Sequence, residues 1–306
     1  MTWTEGDIPD QTGRTVLVTG ANSGLGLRTA EVLGAKGARV LLACRSPERG
    51  RRALERVLAG GGTAELVALD LADLASVRDA AAAVRERTGS LDVLMNNAGV
   101  MAVPLGRTAD GFERQFGTNH LGHAALTWQL MPLLRATPGA RVVTLSSLAH
   151  TGGSLDLADP NYEVRRYSSW RAYSQSKLAN LLFARELDRR CRSAGVDVTS
   201  VAAHPGITAT ELSANMARSR GNPLVALGAK VGDFFAQSVE KGALPQLYAA
   251  TSPDVEGGGY YGPDGWRGMR GHPTRADSSA AARDELAAAR LWDLTAELTG
   301  VTPDPS

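Results

Sequence analysis

Short apolar runs alternate with longer amphipathic stretches along the first two thirds of the chain. The runs cover 14–18, 39–43, 65–69, 91–95, 140–145 and 196–202, and most are continuous Val, Leu and Ala. Continuous apolar runs of this length suit strands buried on both faces. Between them, apolar positions recur at helical spacing and predict helices over 24–36, 47–58, 74–88, 110–134 and 170–192. Ser46 and Pro47 give the second helix a capping hydroxyl and a proline at its first position. Asp73 is placed to cap the third. The β-α alternation predicts an α/β fold, a doubly wound parallel sheet with helices on both faces. No repeat or Gly/Pro-rich linker divides the chain, so 1–306 reads as a single domain.

Two segments break the rhythm. Residues 149–169 are polar and turn-rich, and read as an inserted loop. Residues 209–235 mix helical spacing with Gly221-Asn222-Pro223, and read as a lid over a substrate. The apolar side chains there, from Leu212 to Phe235, serve either as core or as substrate wall. The tail over 277–299 predicts a helix with Leu286, Leu291, Trp292 and Leu294 inward. Pro303 to Ser306 should fray.

Composition narrows the function. Lys and Arg total 33 against 32 Asp and Glu, a net charge of +1. That balance argues against bulk binding to nucleic acid or an anionic membrane. The two cysteines, Cys44 and Cys191, make neither a disulfide scaffold nor a metal knuckle. No signal-peptide pattern and no bilayer-length apolar stretch is visible. The expectation is a cytoplasmic protein with no nucleic-acid or membrane partner and no metal.

Candidate chemistry begins after the first strand, at Thr19-Gly20-Ala21-Asn22-Ser23-Gly24-Leu25-Gly26. Small residues let the backbone turn sharply beside a pyrophosphate. The helix starting at Gly24, Leu25 and Gly26 points N–H groups at that anion. An acceptor for an adenosine ribose belongs at the end of the second strand. An NAD site would place a carboxylate there; this chain has Arg45, whose guanidinium suits a 2′-phosphate, with Asn22 or Ser23 as helpers. NADP(H) is therefore expected over NAD(H), unless Arg45 is merely a solvated residue. Asp70, followed by Leu71, could bond an adenine amine or form a turn. Asn97, Ala98 and Gly99 follow the fourth strand and fit either a cofactor ribose or a plain turn.

Tyr173 and Lys177 fall at i and i+4 on one helix face. An ammonium beside a phenol favours the phenolate and so tunes an acid/base group. Ser146 and Ser147 end the fifth strand, at the sheet edge where ligands bind. Asn119 lies in a helical run, to hold a water near Lys177 or simply to bond backbone. His120 and His123 lack a third ligand and read as satisfied histidines.

In this order, the glycine turn, Asn96-Asn97-Ala98-Gly99, Asn119, Ser147, Tyr173-x-x-x-Lys177 and Pro205-Gly206 resemble the short-chain dehydrogenase/reductases over about residues 14–262. The resemblance implies a Rossmann-type sheet of about seven strands and hydride transfer between NAD(P)H and a carbonyl. It implies Tyr173 as general acid/base, Lys177 on the nicotinamide ribose and lowering the Tyr173 pKa, and Ser147 polarising the carbonyl. Asn119 would hold a relay water, and Ile207 and Thr208 would meet the carboxamide. Ala43-Cys44-Arg45, the Ser146 to His150 stretch and His204-Pro205-Gly206 look like the retinol dehydrogenase and protochlorophyllide reductase-like branch, which favours NADP(H) and apolar substrates. The membrane anchor of many retinol dehydrogenases is not expected here. Ser147 and Tyr173 stand 26 positions apart, longer than in many members. The expected reaction interconverts a carbonyl and an alcohol on a hydrophobic small molecule. C=C reduction and a non-catalytic NADP-binding sensor are the alternatives. Oligomers, dimers or tetramers, are expected through the helices at 110–134 and 170–192. Tyr260, Tyr261 and Trp266 either line the pocket or pack.

Overall fold

Each apolar run forms a strand to within about two residues of its predicted bounds. They are β1 (Thr15–Thr19), β2 (Arg39–Cys44), β3 (Thr63–Ala68), β4 (Val93–Asn96), β5 (Ala140–Leu145) and β6 (Val198–Ala203). A computed structural model describes residues 2–208 and 237–305. The sheet order is β3-β2-β1-β4-β5-β6-β7-β8, adding β7 (Tyr260–Pro263) and β8 (Pro273–Arg275). All neighbours are parallel except β8, which runs antiparallel to β7. The eighth strand exceeds the expected seven. It has three residues and begins at a proline, which an edge strand tolerates.

β1 is buried along its whole length. Val16, Val18, Val40 and Leu42 pack with α1 (Gly24–Ala35), α2 (Pro47–Ala59) and α6 (Val239–Thr251). Leu17, Leu41 and Ala43 pack on the other face, with α3 (Leu74–Arg87) and α4 (Gly122–Ala136). Burial of each such aliphatic side chain stabilises by about 1.5–3 kcal/mol. With both faces apolar, alternation alone cannot fix the register of β1. Polar pins supply it: the Thr15 N–H donates to Asp92 at 2.8 Å, and Asn97 donates to the Thr19 carbonyl at 2.7 Å.

Ser46 and Asp73 cap α2 and α3 as expected. The helix expected over 110–134 is divided. A turn precedes Arg114, and Gly117–Leu121 is a π turn leading into α4. The start moves because the buried Glu113 carboxylate accepts the N–H groups of Gln115 and Phe116, at 3.0 and 2.7 Å. α5 spans Ser169–Ser193. The tail helix, α7 (Glu285–Thr299), begins later than expected because Asp284 caps it, accepting from Ala287 N–H. Leu291 and Trp292 are buried, whereas Leu286, expected inward, is 61% exposed in the first turn. The end does not fray at Asp304, which pairs with Arg135 at 2.6 Å, nor at Pro305, which is buried. The lid expected over 209–235 lies outside the described residues.

The sheet order places β1 between β2 and β4. Successive crossovers diverge there, opening a crevice at the carboxyl ends of β1 and β4.

Candidate active site

The glycine turn leaves β1 into that crevice. Gly20 and Gly24 adopt φ of +66° and +53°, which favour glycine. A Cβ on Gly26 would fall 2.5 Å from the Gly20 carbonyl and from Asn97 Nδ2, so any larger residue forces the turn apart. Ser23 stands at the N-cap of α1 without a side-chain capping bond, which leaves the first N–H groups of the helix for an anion. The Thr19 hydroxyl fixes the floor: it accepts the N–H groups of Asn97 and Ala98 at 2.9 and 3.0 Å and lies 2.9 Å from His123 Nε2. Asn97 is thus the clamp between the β1 and β4 turns, a role residue type alone did not reveal.

A cleft of about 350 Å³ follows this floor. Gly20, Asn22, Ser23, Gly24, Leu25 and Gly26 line one end, and Asn97, Ala98 and Gly99 the floor. Arg45, Asp70 and Leu71 close the side toward β2 and β3. Arg45 is 66% exposed and 4.0 Å from Asp70. Asp70 also accepts the Ala72 N–H at 3.0 Å, so its turn role is present alongside its place on the wall. Arg49, on the first turn of α2, is a second cation on this wall. Sequence reasoning passed over it; its signal was the Arg45/Arg49 spacing across a helix start.

Tyr173 and Lys177 line the far end, each 5% exposed. Lys177 Nζ donates to the Leu145 carbonyl at 3.0 Å and lies 5.8 Å from the Tyr173 ring centroid. The serine doublet divides. Ser146 Oγ donates to the Lys177 carbonyl at 2.7 Å, tying β5 to α5. Ser147 Oγ accepts the Ala149 N–H at 3.2 Å. Burial pushes the Tyr173 phenol up to about 12, with the Ser147 hydroxyl opposing, and pushes the Lys177 ammonium down to about 8. Of the groups around the phenol, the Ser147 hydroxyl lowers its pKa.

Asn119 sits in the π turn. Its side chain accepts from Val100 N–H at 2.8 Å and donates to Val100 O and Ser176 Oγ, both at 2.9 Å. Its carbonyl is 2.9 Å from His123 Nδ1. Asn119 and Ser147 adjoin the cleft wall rather than line it. His120 has its own partner, Thr295, at 2.9 Å. Pro205 lines the cleft, whereas Gly206, Ile207 and Thr208 lie beside it. Gly206 has φ +65° against the Met269 carbonyl, and the Ile207 N–H donates to that carbonyl at 2.8 Å. Thr208 Oγ donates to the Pro205 carbonyl at 2.9 Å, which Gln237 Nε2 also reaches at 2.7 Å. Among the described residues, no group of three His, Cys, Asp or Glu side chains could hold a metal.

The family model described as short chain dehydrogenase matches residues 14–221 of this chain. The chain belongs to the short-chain dehydrogenase/reductase family. It is an oxidoreductase of a family that binds nicotinamide cofactors. Human retinol dehydrogenase 13 is 39% identical over 293 residues, 94% of this chain and 85% of its own length. The chain therefore falls in the retinol dehydrogenase-like branch. A crystal structure of an uncharacterized protein from Mycobacterium Paratuberculosis matches with TM-score 0.81 at 44% identity, covering 98% of each chain. The Pseudomonas aeruginosa RhlG/NADP active-site complex matches with TM-score 0.65 at 25% identity, covering 81% of this chain and 94% of that one.

In this dehydrogenase/reductase the 149–169 insertion is folded against the 100–116 segment. Its Tyr167 hydroxyl donates to the Val103 carbonyl at 2.8 Å and accepts from Gln115 Nε2 at 2.9 Å. Gln175 Nε2 holds the Pro160 carbonyl at 2.9 Å. These bonds hold Val100, Met101 and Val103 on the cleft wall beside Tyr173, an apolar surface the sequence did not announce. Trp170, 49% exposed, lies 5.6 Å from the Tyr173 ring. Tyr260 and Tyr261 are buried packing residues, while Trp266 is 69% exposed.

Proposed function

We propose that the protein is an NADP(H)-dependent oxidoreductase that interconverts a carbonyl and an alcohol on a hydrophobic small molecule. The observation that carries this is the placing of Tyr173 and Lys177 together, both buried, at the cleft end, with the Ser147 hydroxyl acting on the phenol. A nicotinamide held in the cleft would supply the hydride chemistry, as donor in reduction and as acceptor in oxidation. The remaining tasks fall to the chain. Ser147 has one lone pair occupied by the Ala149 N–H, which aims the hydroxyl toward Tyr173 and a carbonyl oxygen. Tyr173 gives its phenolic proton to that oxygen as the C–O bond is reduced, and recovers it in the reverse direction. Lys177 would hold the nicotinamide ribose. The Asn119 carbonyl keeps a lone pair beyond His123 for a relay water. Pro205 to Thr208 would flank the carboxamide.

Arg45 and Arg49 on one wall support NADP(H) over NAD(H), since paired guanidinium groups suit a 2′-phosphate. The NADP in the RhlG complex agrees with that choice. Apolar Met101 and Val103 beside Tyr173, and likeness to a retinol dehydrogenase, support an apolar substrate. Two buried, unpaired cysteines suit the cytoplasm. No helix among the described residues is long and apolar enough to cross a membrane. α7 packs Trp292 on Phe183 of α5 and Trp128 of α4, at 5.5 and 4.9 Å. A homo-oligomer, dimer or tetramer, would therefore pair through faces of those helices that α7 leaves open.

The test is Tyr173→Phe. NADPH affinity should hold, while NADPH oxidation across a panel of apolar aldehydes and ketones should fall by about 10²–10⁴-fold. Full turnover in the variant refutes the mechanism.

A further inference from the structure

His150 is among the buried titratable groups that the mechanism above leaves unused. The residue, 1% exposed, sits immediately behind Ser147 in a short helical turn, Leu148–Gly152. Its Nδ1 lies 2.7 Å from the Ser147 carbonyl, and its backbone N–H donates to the same oxygen at 3.0 Å. Its Nε2 lies 3.3 Å from the Ser279 N–H. A carbonyl only accepts and an N–H only donates, so these two partners fix the tautomer: Nδ1 carries the proton and Nε2 is the acceptor. Tyr260 holds the ring edge-on at 5.3 Å and 88°.

We propose that His150 is a positioning residue for Ser147. The Nδ1–H clamps the Ser147 carbonyl, and the clamp itself is held by the segment before α7. The serine hydroxyl needs this hold because its own side chain has a single backbone anchor, the Ala149 N–H, in the same turn. Without the clamp the peptide at 147 rocks, and the hydroxyl points away from the carbonyl oxygen it must polarise. A displacement of about 1 Å at a reacting group can cost about 100-fold in rate. The clamp also couples Ser279, 132 positions along the chain, to the reacting hydroxyl. This inference rests on the carbonyl chemistry proposed above.

Asparagine and glutamine separate positioning from packing. The Asn amide nitrogen reaches about where the donating Nδ1 stands; the Gln amide reaches instead to where Nε2 stands, its oxygen accepting from Ser279. His150→Asn should keep kcat within about threefold of the parent, while His150→Gln should lose about 10- to 100-fold. The KM for NADPH and the NADPH Kd should stay put in both, and both should lose similar thermal stability. The primary deuterium isotope effect on kcat, with 4-deuterated NADPH, should rise in His150→Gln as the chemical step slows. Ser279→Pro removes the N–H facing Nε2 at a residue whose φ of −61° suits proline, and should lower kcat without moving NADPH affinity. Equal kcat in His150→Asn and His150→Gln, or an unchanged kcat in Ser279→Pro, overturns the inference. An inactive parent across the carbonyl panel would instead overturn the proposed function.

Discussion

Lys177 should cost the protein stability at neutral pH, and its removal should show it. The ammonium is buried, with one hydrogen bond, to the Leu145 carbonyl at 3.0 Å. Burial lowers its pKa from 10.5 to about 8. Between those values the unfolded chain binds a proton that the folded chain does not, so folded stability rises with pH across that window and is lower by the full amount below it. At 1.36 kcal/mol per pKa unit, the cost at pH 7 is about 3 kcal/mol, and less than about 1 kcal/mol remains at pH 10. Lys177→Met keeps the volume and removes the charge. The Leu145 carbonyl is not orphaned, because Asn180 Nδ2 also donates to it at 2.9 Å. Urea unfolding should therefore find Lys177→Met more stable than the parent at pH 7 by about 2 kcal/mol, a gain that mostly disappears by pH 10. Activity should fall sharply at both. A variant less stable than the parent at pH 7, or a difference that does not shrink with pH, would refute a buried, uncompensated ammonium.

Two further outcomes test the cofactor end. Arg45→Asp should raise the NADPH Kd by about 100-fold, from one lost charge-assisted phosphate contact of about 1.5–3 kcal/mol plus new repulsion, and leave the NADH Kd within about threefold, both read by fluorescence titration. Gly26→Ala should weaken both cofactors and lower the melting temperature together, because the new methyl meets the Gly20 carbonyl and Asn97 at 2.5 Å; unchanged affinity would mean that the turn has slack the packing does not show.

What was legible in the sequence follows a physical rule. Strands buried on both faces announce themselves as unbroken apolar runs, so β1 to β6 were found almost to the residue. β7 escaped because Tyr260–Pro263 is a short tyrosine-glycine-proline stretch, and β8 because Pro273–Arg275 is a three-residue proline-threonine-arginine stretch borrowing an edge. The helix over 110–134 starts four residues late, at Arg114, for another reason. Periodicity does not show that Glu113 is buried at 0% exposure, so the carboxylate that starts the helical turn looked like one more surface charge. α6 at Val239–Thr251 was missed where Gly242 and Pro245 interrupt its pattern.

The site was legible in its residue types but not in its pins. Glycines, Tyr173 and Lys177 carry their spacing on the page of the sequence. Ser146 and Ser147 do not differ there at all; they differ in what surrounds them, one spent on the Lys177 carbonyl and one turned to Tyr173. The same holds for Thr19, Asn97, Asn119 and His150, each buried or half-buried and bonded to backbone of another segment. Buried polar groups of this kind contribute little net stability, roughly 1 kcal/mol per bond, but leaving one unpaired costs about 1–3 kcal/mol. That asymmetry makes them poor glue and good locators. They admit one arrangement of the β1, β4 and β5 turns and penalise its neighbours, which is what a reacting hydroxyl and phenol require of their supports.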